Sequence, residues 1–140
     1  MPLGRKVKAL ATLEDCGKYM MDRLLGRRDE TVMLLCLDAK RKPLGCRIIS
    51  EGSVNSAEVS TRKVLEAALA MNATTAVLAH NHPSGIALPS MEDIVTTRRV
   101  GMALDGVGIE LEDHIVVAGR DYVSLRDSKY YDPQECRMMV

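Results

Sequence analysis

At 140 residues the chain is long enough for one domain, and with 46% of it hydrophobic it can bury an ordinary core. The formal net charge is zero, which excludes an overall field that would recruit nucleic acid or an anionic membrane. Four cysteines without a CxxC pair exclude the disulfide framework of a small secreted domain.

With no Trp, no Phe and four Tyr, the core must be filled by Leu, Val, Ile, Ala and some of the nine Met. The cysteines Cys16, Cys36, Cys46 and Cys136 are expected there too. Arg5-Lys6, Arg27-Arg28, Lys40-Arg41-Lys42 and Arg98-Arg99 are separated by acidic residues and read as solvated patches. The opening Met-Pro-Leu-Gly-Arg-Lys lacks the apolar stretch of a signal peptide. No apolar run approaches the roughly 20 residues needed to span a bilayer. A cytoplasmic protein with no membrane partner is expected.

Residues 1–11 read as a basic lead-in. Thr12 with Asp15 forms a capping-box pattern, after which Leu13, Cys16, Met20 and Leu24 recur at helical spacing. Thr31 to Leu37 is a continuous apolar run, suited to a strand buried on both faces. Asp38 to Pro43 is a polar turn, and Leu44 to Ser50 is a partner strand. A Gly/Ser/Asn stretch over 52–56 leads to a second helix from Ser60 or Thr61, with Val64, Ala67, Ala68 and Met71 on one face. Thr75 to Ala79 is a short buried strand, closed by Pro83 and Gly85. A third helix is expected from Ser90 to about Leu104. Ile115–Ala118 and Tyr122–Leu125 read as strands around a turn, and the tail after Asp127 as frayed. The order α-β-β-α-β-α-β-β predicts an α/β fold, a sheet flanked by helices.

The informative stretch is His80-Asn-His82-Pro-Ser-Gly-Ile-Ala-Leu-Pro-Ser90-Met-Glu-Asp93. Two histidines at i and i+2 on a strand end point to one face, with alpha carbons roughly 6.5 Å apart. Two such imidazoles can converge on one ion, and a carboxylate from the first turn of the next helix can supply a third ligand. Two His and one Asp would leave a tetrahedral position for water, the catalytic pattern, and suit zinc best among common ions. Spacing alone leaves other readings open. A His-x-His at a strand end is often a surface pair. Ser90-Met-Glu-Asp93 is also a capping box, in which Asp93 complements a helix dipole. For Asp93 capping and ligation are expected to compete.

His-x-His-Pro followed by Ser-x-x-Asp resembles the signature of the JAMM (JAB/MPN) metalloproteases. Ala79-His-Asn-His-Pro-Ser-Gly85, Pro89-Ser90, Asp93, Thr96 and Leu111-Glu-Asp-His114-Ile-Val116 resemble more closely the RadC family, whose JAB-type domain is linked historically to DNA repair. The resemblance runs from about Glu30 to Ser124 and implies a JAB/MPN-like, deaminase-like fold. It divides the chain into a basic lead-in and helix over 1–29, a metal-binding domain over 30–127 and a tail over 128–140, one compact body overall. It implies Zn2+ as cofactor, held by His80, His82 and Asp93. It further implies Ser90 as a stabiliser of the oxyanion or orienter of the water. Glu30, opening Glu-Thr-Val-Met-Leu-Leu-Cys-Leu-Asp38, takes the place of the catalytic Glu. Without the family, Glu30 reads as an exposed charge beside Arg27 and Arg28; Glu51 and Glu58 are the other upstream carboxylates. His114 matches an Asp-His of the family and is a structural histidine or a residue behind the metal ligands.

Where RadC proteins typically carry a His-Pro-Arg-Glu-like segment, this chain has Ser60-Thr61-Arg62-Lys63, so recognition there is expected to differ. The helix-hairpin-helix region that precedes the domain in full-length members has no counterpart in this sequence. Direct DNA binding is therefore expected to be weak or nil, and an oligomer is compatible with the sequence. The implied function is hydrolysis of a peptide or isopeptide bond by a zinc-activated water, with a peptide or protein substrate. The alternative is a non-hydrolytic DNA-processing accessory or interaction module with a structural metal. A zinc nucleoside deaminase would need His-x-Glu and Pro-Cys-x-x-Cys, and an HNH nuclease motif is dispersed along a ββα unit. Neither matches.

Overall fold

The computed structural model describes residues 8–52 and 59–137. The described residues form α1 (Leu13–Leu24), β1 (Glu30–Leu37), β2 (Pro43–Gly52), α2 (Thr61–Ala70), β3 (Thr75–Asn81), α3 (Met91–Asp105), β4 (Glu110–Ala118), β5 (Asp121–Ser124) and α4 (Pro133–Arg137). The predicted α/β order is observed, with α4 added. The strands make one mixed sheet in the order β2-β1-β3-β4-β5, antiparallel except for the β3–β4 pair. That parallel pair needs a crossover, and α3 supplies it.

The helices start where their caps dictate. Thr12 accepts from the Asp15 amide while the Asp15 carboxylate accepts from the Thr12 amide, and Ser60 caps α2 through the Lys63 amide. Each removes an orphan donor from a helix start.

Because β1 and β3 are buried on both sides, alternation along them assigns two cores. Val32, Leu34, Cys36, Ala76 and Leu78 face Val64, Ala67, Val100 and Leu104 of α2 and α3. Met33, Leu35, Leu37, Val77 and Ala79 face Cys16, Met20 and Leu24 of α1. Continuing the alternation puts Glu30, His80 and His82 on the α2/α3 face and Asn81 on the α1 face.

Two differences from expectation matter. β4 begins at Glu110, not Ile115, so His114 lies inside a strand rather than before one. The charged run Glu110-Leu-Glu-Asp113 hides that strand, and its buried charges are matched by partners. Glu112 pairs with Arg41, while Asp113 accepts from the Ser124 hydroxyl and the Arg126 amide. The tail after Asp127 is also ordered through Arg137. Tyr131 is buried and its hydroxyl donates to the Leu111 carbonyl at 2.6 Å. Gly101 of α3 makes this packing possible, since a Cβ there would sit 2.6 Å from the Tyr131 hydroxyl and 2.8 Å from Cys136 Sγ. The predicted lead-in over 1–7, most of the stretch over 52–56, Glu58, and 138–140 lie outside the described residues. No helix among the described residues is long and apolar enough to cross a membrane.

Candidate metal centre

β3 carries His80 at its buried end, and the ladder runs one residue past it: the His82 amide donates to the Val117 carbonyl at 2.7 Å. Both imidazoles therefore leave the same face. Their Nε2 atoms lie 2.8 Å apart. His80 is 1% exposed, whereas 21% of the His82 side chain reaches solvent. His82 donates from Nδ1 to the Ile86 carbonyl at 3.1 Å. A carbonyl can only accept, so the His82 proton sits on Nδ1 and its Nε2 lone pair faces the centre.

Asp93 arrives from the first turn of α3. Its Oδ1 is 3.5 Å from His80 Nε2 and its Oδ2 is 3.7 Å from His82 Nε2. Oδ2 also accepts from the Ser90 amide at 2.8 Å, and the Ser90 hydroxyl accepts from the Asp93 amide at 3.1 Å. Capping and ligation were expected to compete; here the carboxylate that caps α3 also lies beside both imidazoles. The capping box holds Asp93 in place rather than diverting it. Ser90 is exposed at the helix start.

Glu30 opens β1 on the same face, half-buried. Ligand atoms of Glu30, His80 and His82 all lie within 4.8 Å of one another, a cluster that can hold a metal ion. Burial chiefly raises the Glu30 carboxyl above its ordinary range; His82 opposes this and Asp93 adds to it. Burial likewise pushes His80 down to about 4 despite the Asp93 charge beside it. Glu51 is exposed and its carboxylate faces Arg27 at 3.5 Å instead of the cluster.

Two contributors, Asn81 and Thr97, escape a reading of the sequence for ligands, whereas His114 was already a candidate for a place behind them. Asn81 points to the opposite face, where its Oδ1 accepts from the Thr31 amide at 2.7 Å and its Nδ2 donates to the Asp29 carbonyl at 3.0 Å. It thus grips the backbone on both sides of Glu30. His114 stands behind His80, with its Nε2 2.7 Å from His80 Nδ1, and Thr97 stands behind His114. Period-two alternation in His-Asn-His pointed to Asn81's face. The i+4 spacing of Thr97 from Asp93 was the available signal for the other.

A cleft of about 460 Å³ touches His82 from the α1 side of the sheet, where Leu24, Leu25, Asn81 and Val117 border it; Glu30, His80 and Asp93 do not line it. On the loop after His82, Ile86 and Leu88 are exposed, as is Met91 at the start of α3.

The chain is similar to known proteins over most of its length. The profile of the RadC-like JAB domain matches residues 10–130. A UPF0758 protein of Staphylococcus carnosus is 35% identical over 130 residues, covering 93% of this chain and 57% of that protein. One from Pseudoalteromonas translucida is 40% identical over 109 residues, covering 78% and 49%. Another, from Azotobacter vinelandii, is 38% identical over 123 residues, covering 88% and 55%. The chain spans about half the length of these curated relatives. With the profile covering most of its length and its His80, His82 and Asp93 brought together on one sheet face, the chain belongs to the RadC-like JAB domain family.

Proposed function

We propose that this domain is a zinc-dependent hydrolase of amide bonds, with His80, His82 and Asp93 as ligands, Glu30 as general base and Ser90 as oxyanion donor. One observation carries the reading. The two Nε2 atoms lie 2.8 Å apart, and each has an Asp93 oxygen near it, Oδ1 at 3.5 Å from His80 and Oδ2 at 3.7 Å from His82. These spacings are close to the roughly 3.4 Å that separates ligand atoms about zinc with bonds near 2.05 Å. Two imidazole nitrogens facing each other beside a buried carboxylate form a donor set suited to a cation, so the residues fit the ion. Glu30 and Asp93 both offer a carboxylate; Glu30 lies within 4.8 Å of the histidine nitrogens, while Asp93 is buried with its oxygens at 3.5 and 3.7 Å and is assigned as the ligand.

When bound there, zinc would supply a water acidic enough to yield hydroxide near neutral pH and a Lewis acid for the carbonyl. Glu30, on the same face and raised above its ordinary range by burial, would take the proton of that water and deliver it to the leaving amine. Ser90 accepts through its oxygen from the Asp93 amide, which leaves its hydroxyl proton to donate to a developing oxyanion. The His82 side chain, 21% exposed, favours an open, catalytic arrangement over a closed structural one. Exposed Ile86, Leu88 and Met91 near the centre suit a peptide chain better than a phosphate backbone.

Metal analysis of the purified protein, followed by cleavage of a peptide library with and without chelator, tests the reading. Stoichiometric zinc with chelator-sensitive cleavage is expected. A correctly folded, unchelated protein that takes up no zinc would overturn it.

A further inference from the structure

Thr97, one turn after Asp93 on α3, is fully buried, and its Oγ1 lies 2.6 Å from the Asp93 carbonyl and 2.6 Å from His114 Nδ1. On the other side of the same ring, His114 Nε2 is 2.7 Å from His80 Nδ1. Four groups therefore form one chain: Asp93 carbonyl, Thr97 hydroxyl, His114, His80.

The direction of that chain follows from proton counting. A hydroxyl has one proton to give, and the carbonyl can only accept. With the Thr97 proton committed to Asp93, Oγ1 must accept from His114, so His114 carries its proton on Nδ1. In a buried, neutral imidazole the other nitrogen is then an acceptor. His114 Nε2 accordingly accepts from His80 Nδ1, and His80 Nε2 keeps its lone pair toward His82 and Asp93. Reversed, the chain would place a proton on His80 Nε2, the atom that must bind the ion.

We propose that Thr97 and His114 are positioning residues that lock His80 in its metal-binding tautomer through this buried hydrogen-bond chain. The proposal rests on the reading of His80 as a ligand and adds to it what prepares that ligand. Backbone geometry shows how His114 reaches its place. Ala76 pairs with Leu111 and Val77 with Asp113, which leaves Glu112 as an extra residue in β4. Leu111 and Val116 consequently belong to the α2/α3 core, whereas Ile115 and Val117 belong to the α1 core. This bulge inverts the alternation and turns His114 toward His80 and α3, as bulges beside functional sites do. The Glu112 side chain is held by Arg41, which also donates to the Leu10 carbonyl at 2.7 Å. The chain ends on the same helix that supplies Asp93, so helix, strand and both proposed ligands are set together.

The test uses Thr97→Val, which keeps the shape and removes the hydroxyl, with Thr97→Ser as rescue. Zinc affinity is measured by competition with a chromophoric chelator, and imidazole tautomers by nitrogen-15 NMR on protein freed of metal. In the wild type His80 and His114 should both carry their proton on Nδ1. Thr97→Val should weaken zinc binding by roughly 10–100-fold, the usual effect of losing a partner behind a ligand, and Thr97→Ser should restore it. A wild-type His80 protonated on Nε2 would overturn the proposal, as would unchanged affinity in folded Thr97→Val. Should that variant not fold, the wild-type tautomers decide alone. Failure of the metal reading looks different: the wild type then binds no zinc, while its tautomers still report on the chain.

Discussion

The Thr31 amide donates to Asn81 Oδ1 at 2.7 Å, across 50 positions of sequence, and so ties the first turn of β1 to the strand end that carries both histidines. Glu30 lies between Thr31 and Asp29, whose carbonyl accepts from the same Asn81 side chain. The proposed general base is thus located by a residue that faces away from His80 and His82. Asn81→Leu should leave zinc content unchanged and cost about 1–3 kcal/mol of stability, because the buried Thr31 N–H loses its acceptor. Turnover should fall as Glu30 drifts. Chemical denaturation, metal analysis and peptide cleavage on one preparation check all three.

Asp93 has two duties, and two substitutions separate them. Asp93→Ala removes ligand and cap together, so zinc should be lost and helix stability should drop by about 0.5–2 kcal/mol. Asp93→Asn retains an oxygen for the Ser90 amide and removes the charge, so stability of the metal-free protein should hold while zinc affinity falls. Calorimetric unfolding of both metal-free variants, with zinc titrations, reads the difference. His80→Ala and His82→Ala should each lose zinc as well.

The pH response of the metal-free protein follows from its buried imidazoles. His80 sits near 4 against an ordinary 6.5, and burial drives His114 in the same direction. Each binds fewer protons folded than unfolded between those values, so their contribution is full above pH 6.5 and is lost as pH falls through that window toward 4. Asp113, raised by burial from 3.8 to about 6, acts oppositely: it takes up a proton in the fold between pH 6 and 3.8 and gives stability back. Glu30, also raised by burial, acts as Asp113 does but is only half-buried, and the two carboxyls do not outweigh two fully buried imidazoles. The Tm should fall on acidification below pH 6.5, measured by thermal melts in chelator across pH 4.5–8.

With a formal net charge of zero, the chain should bind DNA weakly and without sequence preference. Fluorescence anisotropy at physiological salt should show no saturation in the nanomolar range. Tight, sequence-specific binding would instead favour an accessory role in DNA processing.

Much of this architecture could be read from the residues because local signals and burial agree. The Thr12–Asp15 and Ser90–Asp93 boxes marked two helix starts that the structure reproduces, and the unbroken run from Thr31 to Leu37 marked a strand buried on both faces. The proposed ligands stood out because His80, His82 and Asp93 fall within 14 residues of sequence, whereas Glu30, which joins the two histidines in the structure, lies 50 positions before His80. What stayed hidden depends on long-range partners. Glu112 and Asp113 look like loop residues until Arg41 and Ser124, distant in sequence, are seen to neutralise and bond them. The α4 segment is short, and it holds its place by packing against Gly101 rather than by periodicity. The bulge at Glu112, which aims His114, has no local sequence mark at all.

The most direct measurement is the turnover of Glu30→Gln at full zinc occupancy. Gln preserves shape and removes the basic oxygen, and Glu30 is assigned to the proton of the water rather than to the ion. Zinc content and Tm should stay near wild type while cleavage of the best library peptide falls by roughly 10²–10⁴-fold. Zinc lost or folding impaired, with turnover of the surviving protein unchanged, would contradict the account. Glu30 would then be a structural residue, and with Glu51 turned to Arg27 the base would have to be sought elsewhere.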